Sequence, residues 1–132
     1  MTPLPEVVQA YITAYTQKDV GGMLACPAEE IAFSHLEDGE IRAETQGKPA
    51  FAELAAAGAQ AFETRQLIIR HAISVAETTL VEIDFTGFLV LDLPNGWRTG
   101  QTAQIHGASA FHLAEGRIVR LVDESFHVSV QT

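Results

Sequence analysis

Five side chains in this sequence are of the types that move protons or stabilise charge on oxygen: His35, His71 and Asp123, with Tyr11 and Ser109. Imidazole exchanges a proton near neutral pH, and a positioned carboxylate takes one from a reacting group. Phenol and hydroxyl groups donate to a developing oxyanion. Each residue also has a plainer reading. His35 belongs to "EEIAFSHLEDG" (29–39), whose alternation puts Ile31, Phe33 and His35 on one face. It is either a strand-end ring bonded to backbone or the polar group of a cavity. His71 falls in the row Leu67, Ile69, His71, Ile73 and Val75, so burial is expected. There it is either a neutral core histidine with one partner or a catalytic base. Asp123 follows Val119 and Leu121 on one face, where a carboxylate is costly unless paired. Paired with a histidine it forms an Asp–His dyad; otherwise it sits wet at the end of its strand. Tyr11 and Tyr15 lie one turn apart on the same helix face, as core residues or as oxyanion donors.

Other chemistries lack their spacing. His106 and His112 share the outward parity of their strand, and no H-x-H or H-x-x-x-H motif joins a carboxylate. Gly21-Gly22 is not followed by Lys-Ser/Thr, and no dinucleotide fingerprint follows a strand. Neither a metal nor a cofactor is expected. Cys26, beside Pro27 and the lone cysteine, reads as a buried small hydrophobe. The formal charge is −9 and no two of the eight basic residues adjoin, which disfavours nucleic acid and anionic membrane as partners. The longest apolar run, "GFLVL", is too short to span a bilayer, and "MTPLPEVVQAY" lacks the pattern of a signal peptide. A cytoplasmic location is expected.

The elements that position these residues follow from periodicity. Val7, Val8, Tyr11, Ile12 and Tyr15 form one face of an amphipathic helix that Pro5 opens, and a short helix is expected around Val20 to Ala25. A helix from about Lys48 to Glu63 carries the stripe Phe51, Leu54, Ala55, Gly58 and Phe62, after a loop at 36–47. From Arg65 the period changes to two, predicting a meander of strands through 65–77, 79–91, 99–113 and 117–128. Asn95-Gly96 is a hairpin signal, and "AEG" at 114–116 is a turn. With 47% hydrophobic residues over 132 positions, the chain reads as a single domain, 1–132, of the α+β class.

The chain resembles the cone-shaped NTF2-like superfamily, and within it the SnoaL-like proteins related to polyketide cyclases and ketosteroid isomerases. The resemblance rests on "VVQAYITAYTQKDVGGMLA", "QGKPAFAEL" and "SAFHLAEGRIVRLVDE", in that order and spacing. It implies three helices from the N-terminal half, packed in a strongly curved, mainly antiparallel sheet. It also implies a homodimer through the open sheet face. It places Tyr11 at the isomerases' oxyanion tyrosine, while His35 and Ser109 stand where those enzymes carry aspartates. Asp123 matches an acidic position on the last strand of many SnoaL-like members. The cone would be lined by Tyr15, Phe33, Ile69, Phe85, Phe111 and Leu121. It would bind a small, mainly apolar molecule and, in an enzyme, run cofactor-free isomerisation, cyclisation, dehydration or epoxide hydration. The alternatives are a non-catalytic ligand-binding module and an accessory dimer whose cone is filled by its own phenylalanines.

Overall fold

The structure, a computed structural model, describes residues 4–132. Its elements run α1 (Glu6–Thr16), α2 (Val20–Leu24), β1 (Pro27–Glu37), β2 (Glu40–Gln46), α3 (Lys48–Ala61), β3 (Phe62–Val75), β4 (Thr78–Leu89), β5 (Thr102–Ala114) and β6 (Arg117–Gln131). The strands form one sheet in the order β2-β1-β6-β5-β4-β3. Every neighbouring pair is antiparallel except β1 with β6. This is the expected α+β architecture, a curved mixed sheet carrying three helices.

Each helix is short and marked by its sequence. Pro5 precedes α1, with Glu6 in the first turn facing the positive end of the helix dipole. Asp19 caps α2 by accepting the Gly22 amide at 3.0 Å. The apolar faces of α1 and α2 enter a core with Ile31, Phe33, Phe51, Val81, Phe111, Ile118 and Leu121. A second cluster, of Ala61, Phe62, Phe85, Leu89 and Ala103, fills the far end of the sheet, with Leu93 and Trp97 packed against it.

Three sequence expectations are corrected. The segment 36–47 is not a loop: β2 pairs with β1 across an Asp38-Gly39 turn in which both residues have positive φ. That is the dipeptide and geometry of a tight hairpin. The strand escapes the hydrophobic pattern because it is an edge strand, with only Ala43 and Thr45 partly covered. Asn95-Gly96 does lie between two antiparallel neighbours, β4 and β5, but not as a two-residue turn: it tips a connection spanning 90–101, where the Trp97 carbonyl accepts the Leu93 amide at 2.8 Å. Finally, α3 ends at Ala61 and Phe62 already belongs to β3.

The largest correction concerns side-chain parity. In β3 the register with β4 slips between Ile69 and His71. Such a bulge re-aims the residues beyond it. Ile69 still points to the core, but His71, Ile73 and Val75 turn outward, the two hydrophobes 58% and 67% exposed. A second slip, between His106 and Gly107, sits in β5 against β6. There the strands approach so closely that a Cβ on Gly107 would collide with the backbone carbonyl of Glu124. We therefore expect Gly107→Ala to destabilise the fold by about 3 kcal/mol, because backbone rather than a flexible side chain must give way. Gly39→Ala, in open space but at φ +84°, should cost only about 1–2 kcal/mol. Urea unfolding of the two variants measures the difference.

Candidate functional site

Between the two hydrophobic clusters the curved sheet and α3 enclose a cavity of about 410 Å3. That is the size of a small-molecule site. Its walls are aromatic and aliphatic: Tyr11, Phe33, Phe51, Phe62, Phe85 and Phe111 contribute rings, and α3 contributes Leu54, Ala55, Gly58 and Ala61. The void survives because the α3 side of the wall is built largely of alanine and glycine. The phenylalanines pack on one another and on Tyr11, with Phe33–Phe51 and Tyr11–Phe111 centroids 5.7 and 5.8 Å apart. They line the hollow rather than fill it.

The polar groups on the wall come from adjacent strands. Across the parallel β1–β6 pair His35 lies opposite Asp123, and across β5–β6 Ser109 lies opposite Asp123. Three neighbouring strands therefore present His35, Asp123 and Ser109 side by side. Ser109 Oγ donates to Asp123 Oδ1 at 2.7 Å. His35 does not bond the carboxylate: its Nε2 shares a hydrogen bond with Ser125 Oγ at 3.2 Å. In place of a direct Asp–His dyad, one of the two readings of Asp123, there are two adjacent pairs, Asp123–Ser109 and His35–Ser125. Burial is the main influence on Asp123 and pushes its pKa above the ordinary carboxylate value; the Ser109 hydrogen bond and the charge of His35 oppose it.

Tyr11 is buried on α1 and lines the cavity. Its pKa is driven well above that of a free phenol, first by burial and then by the negative charge of Asp123. Tyr15, one turn on, is pushed up to about 12, again chiefly by burial, with Arg65 pulling the other way. Both phenols hold their protons at any physiological pH and remain donors.

Of the residues expected at the site, His35, Asp123, Tyr11, Ser109, Tyr15, Phe33, Phe85 and Phe111 meet at this cavity. Ile69 and Leu121 do not line it; they pack into the core behind it, Leu121 with no exposure. His71 is the clear correction. The bulge after Ile69 sends it to the outer face of the sheet, where its side chain is 84% exposed and bonds Glu82 at 2.6 Å. Glu82 and Asp84 also flank His106, which meets Glu82 Oε2 at 3.1 Å and Asp84 Oδ1 at 2.8 Å, while Arg70 pairs with Asp84 at 2.6 Å. These hydrogen bonds hold both carboxylates below their usual pKa, His71 acting most on Glu82 and His106 most on Asp84.

Arg65 lies outside the inward row that the sequence predicts for β3, which begins at Leu67. The same parity, taken two residues back, reaches Arg65, and the structure places it on the cavity wall at 5% exposure. Its guanidinium stacks 3.8 Å over the Tyr15 ring, and its Nη2 donates to the Tyr15 carbonyl at 2.7 Å. Arg65 thereby supplies the cation that the last turn of α1 lacks. Trp97 and Asn95, from the 90–101 connection, close one end of the hollow; no periodicity predicts that contact. Among the described residues, no group of three or more histidine, cysteine or acidic side chains is placed to hold a metal, and no helix is long and apolar enough to cross a membrane.

No curated protein matches the chain. Among solved structures, a limonene-epoxide-hydrolase-like epoxide hydrolase of M. tuberculosis superposes with a TM-score of 0.72 at 16% identity, over 92% of this chain and 80% of that one. A putative polyketide cyclase from Xanthomonas campestris gives 0.70 at 24% identity, over 89% and 86%. Another, from Silicibacter, gives 0.71 at 25% identity, over 91% and 86%. These likenesses agree with the cone seen here. Residues 8–121 match the SnoaL-like domain, and with that span covering most of the sequence the chain belongs to the SnoaL-like family.

Proposed function

We propose that the cone binds a small, mainly apolar organic molecule and that Asp123 transfers a proton on it without a cofactor. The observation that carries this reading is a carboxylate on the wall of an apolar cavity, fixed by one serine hydroxyl and raised in pKa by burial. Such a group is a stronger base than a solvated aspartate. In the simplest reaction, Asp123 removes the proton from a carbon next to a carbonyl, and the electron pair of that C–H bond moves onto the carbonyl oxygen as an enolate. The Tyr11 phenol donates a hydrogen bond to that oxygen. Asp123 then returns the proton to the same carbon or to a conjugated one. Ser109 positions the carboxylate, since its own proton is committed to Asp123. His35, opposite Asp123 in register and tied to Ser125, adds polarity at the same end of the hollow. A polyketide cyclase or an epoxide hydrolase, as named for structurally similar proteins, would need the same acid–base equipment. A carrier without chemistry would be stabilised by ligand but turn nothing over.

The outer face of the sheet supports a homodimer. Ile68, Leu80, Phe88 and Phe126 stand exposed there around the Arg70–Asp84–His106–Glu82 cluster. A lone, buried cysteine suits a reducing cytoplasm.

Three outcomes test these readings. Deuterium exchange at the α-carbon, followed by NMR over a panel of apolar ketones, should fall at least about 100-fold in Asp123→Asn. The wild-type rate should drop on acidification through a pKa above the usual carboxylate range, because only the ionised form is a base. Exchange unchanged in the variant would defeat the assignment. The stability of the same variant should move the other way. Asp123 binds its proton more tightly in the folded than in the unfolded chain, so its contribution is most favourable below pH 3.8 and is lost as pH rises through the elevated folded value. Asp123→Asn should therefore raise the melting temperature by a few degrees at about pH 7.5 and by almost nothing at about pH 4. Finally, light scattering should give a dimer for the wild type and a monomer for Ile68→Glu/Phe88→Glu, whose paired charges would lie within the buried face.

A further inference from the structure

One charge on the cavity wall, that of Arg65, has no part in proton transfer at Asp123. A guanidinium carries five N–H donors. Arg65 spends Nη2 on the Tyr15 carbonyl and, at 4.0 Å, on Met23 Sδ. Its Nε is buried with no hydrogen-bond partner, and among the described residues Nη1 bonds nothing either. No carboxylate of the described residues pairs with it. The stack on Tyr15 offsets part of the cost of burying a cation, but it leaves the remaining donors unmet. Nη1 faces Gly58 of α3, the wall position with no side chain to cover it. A role limited to closing the end of α1 would need only the Nη2 contact; it accounts for neither the unpartnered Nε nor the place of Arg65 on the cavity wall.

We propose that Arg65 is a binding residue for a carboxylate carried by the ligand, so that the cone takes apolar organic acids and holds each with its acid group at Arg65. A planar carboxylate matches the guanidinium fork, and Arg is the side chain suited to such pairing in a desolvated site. The inference deepens the reading of the cone as a small-molecule site and depends on it. Asp123 reinforces the orientation: it makes no ion pair with Arg65, and a ligand carboxylate near Asp123 would be repelled. The acid group is thus directed to Arg65, and the reacting carbon is left for Asp123.

The test compares 2-naphthoate, ionised at pH 7.5, with neutral 2-naphthamide of the same shape, by isothermal titration calorimetry on the full chain. The wild type should bind the acid roughly tenfold or more tighter than the amide. Arg65→Gln should bring the two affinities within about twofold, mostly by weakening the acid. Arg65→Lys, which keeps the charge and loses the fork, should fall between them. Equal affinities in the wild type, or a preference that survives in Arg65→Gln, would overturn the inference; the wild-type comparison decides even where Arg65→Gln does not fold. Binding of neither probe would overturn it together with the small-molecule reading of the cone. Retained acid preference with no Asp123-dependent exchange would support Arg65 and remove only the chemistry.

Discussion

The parallel pairing of β1 with β6 is the interaction on which the site depends. It joins a strand near the start of the chain to the last one, and it is the sole non-antiparallel seam in the sheet. Without it the sheet would be the four-stranded meander β3 to β6, in which Asp123 and Ser109 face each other but His35 is absent. The seam also sets β6 between two neighbours, so Asp123 stands on the cavity wall with Ser109 on one side and His35 on the other. The raised pKa of Asp123 follows from that placement, since burial is its largest cause. Geometry and electrostatics at the site thus share one origin, a long-range contact whose closure entropy the helices and both core clusters must offset.

Much of this was legible in residue patterns. The period of 3.6 marked α1 and α3, and alternation marked five of the six strands, all but β2. The convergence of His35, Ser109 and Asp123 followed once the strands were placed in a curved sheet. What parity could not supply was its own interruption. The slip after Ile69 has no marker in "LIIRHAIS": the row is hydrophobic on either side of His71, so the sequence looks equally regular with or without a bulge. In the structure His71 gains Glu82 on the outer face, and Ala72 takes the inward position opposite Val81. That exchange avoids burying an imidazole and leaves a methyl group in the core. The edge strand β2 escaped for the opposite reason. One of its faces is wet and the other barely covered, so hydrophobicity had nothing to report, and the informative residues were the turn pair Asp38-Gly39.

Arg65 illustrates a different failure of pattern reading. An arginine at the head of a strand is ordinarily assigned to the surface because burying its charge costs several kcal/mol. Here α1 ends beside it with carbonyls that no basic residue of that helix meets, and Tyr15 offers the face of its ring. These two contacts make burial tolerable, but both depend on tertiary placement, so neither is visible in sequence. The residue that pairs most closely with the α1 terminus is therefore also the one that faces the hollow.

The two opposite charges of the cavity, Asp123 and Arg65, do not neutralise each other. A fold selected only for stability would pair them or replace both with hydrophobes, because buried ions rarely repay their desolvation. Instead each is held by a neutral group of its own strand's neighbours, Ser109 for the carboxylate and the Tyr15 carbonyl for the guanidinium. Between them stand aromatic walls and the small residues of α3. Separation leaves both charges without a counter-ion in a medium of low polarity, where electrostatic interactions are strong. The stability lost by holding them apart is what the binding proposed above would draw on.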